Sequence, residues 1–362
     1  MYRQVKSDLK IKEEDDQRIL LDGSGRNSGA DRKNGIYIYG IIQASGPQAF
    51  GKIGIGDNGS DIQAICFKDI AAVGSESPFI VYDTLAKEKI IKDLVTHQFV
   101  IEKVMENCTI LPVKFGTMVE TEDEVVEFLE QGYAVLSDTL RKMSGKIELD
   151  VVASWELSKA LAAVCHNSRE IQEQQENIAK KITVEIEDKV ALGKLIDQEL
   201  KDQKESYRQR ILQTFEKEST GVCLHDVVND EMIFNAAFLL DKQKEEVFNK
   251  AVYDLDQQLE GAINFRVVGP LPPYSFATTL FEKIDPYKLE EAKKIFGFND
   301  TMTSRTLRDT YRQLAQKYHP DSSSSGDSQQ FHLIHSAYRT LKNFLESGLI
   351  RVEVYQWEKD FQ

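Results

Sequence analysis

The stretch Thr306-Leu-Arg-Asp-Thr-Tyr-Arg-Gln-Leu-Ala-Gln-Lys-Tyr-His-Pro-Asp321 decides how the C-terminal end of this chain folds. At about 3.6 residues per turn, Leu307, Tyr311, Leu314 and Tyr318 fall on one stripe, with Arg305, Arg308 and Arg312 gathered beside it. Such a helix buries one side and offers a basic side to a partner. It runs into His319-Pro320-Asp321, where proline disfavours helix for the preceding residue and imposes an exposed turn. Upstream, Leu289 to Phe298 has a short helical pattern with Gly297 as its C-terminal stop. Downstream, Phe331, Ile334, Tyr338, Leu341 and Leu345 repeat at helical spacing and can pack antiparallel against the helix before His319. A serine-rich solvated loop from Ser322 to Ser328 joins the two.

With 362 residues the chain is long enough for two or three domains. Lys+Arg 45 against Asp+Glu 59 gives a net charge of -14 with no basic block, which argues against nucleic acid or an anionic membrane as the main partner. No apolar run approaches membrane-span length and the charged N-terminus has no signal-peptide core, so a cytoplasmic protein is expected. Cys66, Cys108, Cys165 and Cys223 lack Cys-x-x-Cys spacing and read as reduced structural thiols.

Residues 1–34, polar and ending in Asp22-Gly-Ser-Gly-Arg-Asn-Ser-Gly29, read as a disordered leader. An α+β unit of ferredoxin-like character is expected over 35–155. Its strands are Gly35–Ile42, Ile62–Phe67, Ile70–Gly74, Thr109–Phe115 and Lys146–Trp155, and its helices Leu85–Met105 and Glu122–Met143. A second unit over 156–280 opens with two long helices carried by Leu157, Leu161, Val164, Ile171, Ile178, Ile182 and Ile186. Packing within the molecule is the first reading of that stripe, and a partner-binding coiled coil the alternative. Strands at Val222–Val228 and Ile233–Leu240, a helix at Lys242–Leu259 and a strand at Ile263–Val268 follow. Pro270, Pro272 and Pro273 then end sheet pairing, with Tyr274 and Phe276 anchoring the segment by burial. Residues 346–362 read as a tail. The fold class is α+β: two ferredoxin-like units with long helices between them, plus a small all-α hairpin over 285–345.

Catalytic patterns do not assemble. Gly54-Ile-Gly56-Asp-Asn-Gly59 fits G-x-G-x-x-G, but a strand pattern follows it where a dinucleotide site needs a helix, so it reads as a hairpin loop. His97 sits among Val100, Ile101 and Val104 and reads as a packing histidine. His332 and His335 lack a third metal ligand. His225-Asp226 has no nucleophile constellation around it. No enzyme, cofactor or metal is expected.

The segment from Leu289 through His319-Pro320-Asp321 to Leu345 resembles the J-domain, the module that docks onto DnaK-type chaperones and stimulates their ATP hydrolysis. The resemblance implies that His319, Pro320 and Asp321 engage such a chaperone, with Arg308 and Arg312 giving electrostatic contact. The serine-rich loop departs from J-domains that carry lysine and asparagine there. A second resemblance covers residues 35–280. Ile36-Tyr-Ile-Tyr-Gly40, His97-Gln-Phe-Val-Ile-Glu-Lys-Val-Met105, Ile110-Leu-Pro-Val-Lys-Phe-Gly-Thr117 and Gly269-Pro-Leu-Pro-Pro-Tyr-Ser-Phe276 are similar to blocks of the GvpL/GvpF family of gas vesicle accessory proteins. It implies a vesicle-associated role with the small, very apolar shell protein and other accessory proteins as partners, since exposed apolar surface aggregates unless covered. Two other readings stay open: a structural vesicle protein with an inactive J-like end, and a general J-protein for other clients.

Overall fold

A computed structural model describes residues 34–56, 58–80, 82, 85–183, 185–298, 302–319 and 328–355. The leader expected over 1–34 therefore lies, but for Asn34, outside the described residues, as does the serine-rich loop up to Ser328.

The first sheet is organised by β1 (Asn34–Gln43), which is apolar on both sides. Ile36, Ile38 and Ile41 face one core and Tyr37, Tyr39 and Ile42 the other, a change of parity absorbed by a register shift between Ile38 and Gly40. Around it lie β2 (Ala49–Gly54), β3 (Ser60–Phe67), β4 (Ile70–Pro78), β5 (Ile110–Pro112) and β6 (Met118–Val119). The order is β2-β3-β4-β1-β5, with β6 also paired to β1, antiparallel throughout. As expected, the Gly54 to Gly59 stretch joins β2 to β3 as a hairpin loop. α1 (Lys87–Met105) lays Val100, Ile101 and Val104 on the Tyr37 side. α2 (Glu122–Met143) lays Val125, Phe128, Leu129 and Leu136 on the Ile36 side. A ferredoxin-like unit keeps its helices on one face of the sheet. Here they take opposite faces, because a strand buried on both sides needs cover on both.

The strand expected to close that unit belongs to the next one. β7 (Lys146–Ser154) pairs with β9 (Met232–Asp241) and β10 (Asn264–Leu271), and β8 (Gly221–Leu224) completes the order β10-β7-β9-β8. Ile147, Leu149, Val151 and Ala153 alternate onto one face. There they meet Ile211 and Phe215 of α5 (Ile186–Glu216) and Phe248, Val252 and Leu255 of α6 (Glu245–Gln258). The two long helices expected before this sheet are three. α3 (Leu157–Asn167) and α4 (Arg169–Ala179) break at Ser168, and the apolar stripe buries only as far as Ile171. Ile182 and Ile186 stand in solvent. Of the prolines, Pro270 does not end pairing: it falls in an irregularity beyond Val268, and Leu271 pairs again with Glu148 before the strand stops at Pro272 and Pro273, as expected.

At the C-terminal end, α7 (Pro286–Phe296), α8 (Ser304–Tyr318) and α9 (Ser328–Ser347) share a core of Leu289, Ala292, Phe296, Leu307, Ile334, Ala337 and Leu341. The chain enters this helical unit through β11 (Thr278–Lys283) and leaves it through β12 (Ile350–Tyr355), which pair with each other. A strand thus lies in the stretch that reads as a tail.

Candidate functional site

The helical unit is built as its sequence implies. Gly297 ends α7 in the left-handed region (φ 69), where a side chain would be strained, and Phe298 N–H closes the turn on the Lys293 carbonyl at 2.9 Å. Thr303 and Thr306 form a reciprocal cap at the start of α8: the Thr303 hydroxyl accepts from Thr306 N–H (3.2 Å) and the Thr306 hydroxyl from Thr303 N–H (3.0 Å). Leu307 is buried and Tyr311, Leu314 and Tyr318 pack against the same core. Tyr311 stacks on Tyr338 at 4.2 Å and its hydroxyl meets His335 Nδ1 at 3.1 Å. The His319 ring sits edge-on to Phe331 at 5.2 Å. These two contacts run in opposite senses along the helices and fix α8 and α9 as antiparallel.

His319 closes α8 and is exposed. Arg305, Arg308 and Arg312 are exposed on the same helix, Arg308 Nε donating to the Ser304 carbonyl at 3.2 Å. His319, Arg308 and Arg312 are thus brought onto one hairpin, while Pro320 and Asp321 lie outside the described residues. His332 and His335 do not gather ligands: among the described residues no group of three His, Cys, Asp or Glu could hold a metal ion. No described helix is long and apolar enough to cross a membrane.

In the body, His97 is fully buried between Tyr37, Tyr39 and Phe115. Its Nδ1 lies 3.0 Å from the Tyr37 hydroxyl, which also accepts Gly116 N–H at 2.9 Å. Burial pushes its pKa down to about 3, only partly opposed by the Val113 backbone. It is a neutral core residue, as its neighbours in the sequence imply.

A second buried polar cluster was not visible in the sequence. Glu148 on β7 accepts both Ser275 N–H and the Ser275 hydroxyl, each at 2.8 Å, and Ser275 Oγ lies 3.3 Å from His225 Nε2. A serine, a histidine and a carboxyl are therefore adjacent across 127 residues of sequence. Their order is wrong for hydrolysis, because the carboxyl engages the serine where a triad has it orient the histidine, and Ser275 is buried. The contacts pin the proline-rich segment onto β7. Burial and the neighbouring Asp150 carboxylate both hold the Glu148 carboxyl above its ordinary range.

One surface of the body is unusual for its polarity. Ile91, Val95 and Phe99, four residues apart on α1, are 44%, 60% and 50% exposed. Lys87 and Lys92 are exposed on the same helix.

Two antiparallel sheets make an α+β body, and a small helical unit follows it at the C-terminal end. The sequence model described as "Gas vesicle synthesis protein GvpL/GvpF" matches residues 35–278, and that of the DnaJ domain matches residues 294–344. The chain belongs to the GvpL/GvpF family and carries a C-terminal DnaJ domain. It is 26% identical over 250 residues to Gas vesicle protein F of Nostoc sp., covering 67% of this chain and 98% of that one. With Gas vesicle protein F1 of Halobacterium salinarum it shares 22% identity over 245 residues, 67% of this chain and 92% of the other. The crystal structure of the gas vesicle protein GvpF from Anabaena sp. superposes with a TM-score of 0.58 at 24% identity, over 67% of this chain and 97% of that one. That of Microcystis aeruginosa gives 0.53 at 24% identity, over 67% and 98%. The mixed α+β fold of the body is that of GvpF, with helices added at the C-terminal end.

Proposed function

We propose that the protein assists gas vesicle assembly by holding the apolar vesicle shell protein on its α+β body while the DnaJ domain recruits a DnaK-type chaperone to that client. The observation that carries this reading is the union in one chain of a GvpL/GvpF body and a DnaJ domain whose His319 and arginine-bearing side are exposed. His319, Pro320 and Asp321 engage the chaperone, and Arg308 and Arg312 supply a contact that weakens with salt. The row Ile91, Val95 and Phe99 supports a client role for the body, since apolar side chains set in water at helical spacing suit an apolar partner. Other vesicle accessory proteins are further candidate partners, and the protein acts at the growing vesicle in the cytoplasm.

The test is ATP turnover by a purified DnaK-type chaperone with and without the full chain. Stimulation is expected, with loss in His319→Gln and a weaker, less salt-sensitive response in the Arg308→Glu, Arg312→Glu double variant. No stimulation by the wild type, or equal stimulation by His319→Gln, removes the chaperone role and leaves a structural vesicle protein.

A further inference from the structure

The segment that joins the two parts belongs to neither matched family. The GvpL/GvpF match ends at residue 278 and the DnaJ match spans 294–344, so most of β11 and all of β12 fall outside both. Yet this segment is firmly built. Six residue pairs, from Thr278↔Tyr355 to Lys283↔Ile350, zip the entering strand to the leaving one, and Ile284 N–H donates to the Leu349 carbonyl at 2.9 Å.

The ribbon is then sewn to the body on two sides. β11 touches the edge of the first sheet: Thr279 bridges Val113 in parallel, and its carbonyl accepts Lys114 N–H at 2.9 Å. Phe281 and Ile350 enter the core beneath α2, with the rings of Phe281 and Phe128 4.9 Å apart. Val352 fills a notch made by Gly132, a glycine in the middle of α2, where an added Cβ would stand 2.5 Å from Val352 Cγ1. Lys283 pairs with Glu124 at the start of α2. Both strands are thus held, and a unit tied at its entry and its exit cannot swivel as a bead on a single linker does.

The geometry points to a rigid mount: β11 and β12 fix the DnaJ domain in one orientation against α2, with Gly132 and Val352 as its positioning residues. A chaperone recruited at His319 is then delivered to one fixed place relative to whatever the body holds. This last step rests on the proposed function, whereas the mount itself does not.

The experiment is ¹⁵N relaxation of the full chain. The wild-type helices α8 and α9 are expected to tumble with the correlation time of the whole 41.2 kDa molecule. Gly132→Leu, which evicts Val352, is expected to shorten that time at least twofold for α8 and α9 alone. Should Gly132→Leu disturb α2, a second variant carries flexible Gly/Ser insertions after Ile284 and after Ser347, which leave the ribbon seated and free only the helices. Wild-type helices that already tumble faster than the body overturn the mount, as does unchanged tumbling in both variants. A chaperone assay on the same samples is separate: absence of ATPase stimulation would sink the proposed function and leave the relaxation result standing.

Discussion

Acidification should remove the stability that one buried residue, His97, contributes to the body. A histidine in an unfolded chain titrates near 6.5, while in the folded protein burial holds this ring's pKa at about 3. The folded pKa is the depressed one, so the unfolded chain binds the proton first and stability is lost as pH falls below 6.5 towards 3. Each pH unit in that window costs about 1.4 kcal/mol, which amounts to about 2 kcal/mol by pH 5 and is close to nothing at pH 7.5. The ring is completely buried, so solvent screening does not reduce the figure. Urea unfolding at half-unit steps from pH 7.5 to 5.0 measures the slope, with His97→Phe as the reference that lacks only this contribution. A wild-type slope equal to that of His97→Phe would refute the reasoning, as would a folded-state imidazole resonance titrating with a midpoint near 6.5.

The other limb of the pH profile belongs to Glu148, whose carboxyl is raised rather than lowered. Its contribution is complete below the ordinary glutamate range and fades as pH rises through the folded value, so Glu148→Gln should unfold at higher denaturant than wild type at pH 9 and with little difference at pH 5. Replacing Ile91, Val95 and Phe99 together by serine should leave the melting temperature within a few degrees, because these side chains are exposed, while abolishing co-purification of the shell protein; retained co-purification removes α1 as the client face. Leu341→Ala, in the centre of the helical core, should cost about 2–5 kcal/mol and melt α7 to α9 ahead of the body, seen as a separate early transition by circular dichroism.

How much of this was legible depends on range. α2 spans the Glu122–Met143 that its sequence pattern gives, and in the structure the Thr121 hydroxyl accepts Glu124 N–H at its start. The helical hairpin is equally legible, since the Tyr311 stack on Tyr338 only confirms two stripes already in phase. The assignment of β7 fails for a different reason: alternation marks a strand and a face but not which sheet recruits it, and Lys146 to Ser154 would suit either. The Glu148–Ser275–His225 contact has no local signature at all, because three sequence-distant segments must fold before it exists.

β12 carries a local signature of its own. Ile350-Arg-Val-Glu-Val354 alternates between apolar and charged residues, which is the pattern of a half-buried strand, and the structure buries Ile350 and packs Val352 and Val354 against the core beneath α2. Its position after the last helix leaves it without a partner nearby in sequence, since β11 lies on the far side of all three helices. The reciprocal mark was Gly132, a glycine placed mid-helix at a cost of about 1 kcal/mol relative to alanine, which a helix keeps where another backbone or side chain must come close. Read together, an unexplained glycine in one element and an unpartnered alternating strand more than two hundred residues later predict a contact that neither predicts alone. That pairing turns two sequence families joined end to end into one body, because the strand leaving the second part is packed into the core of the first.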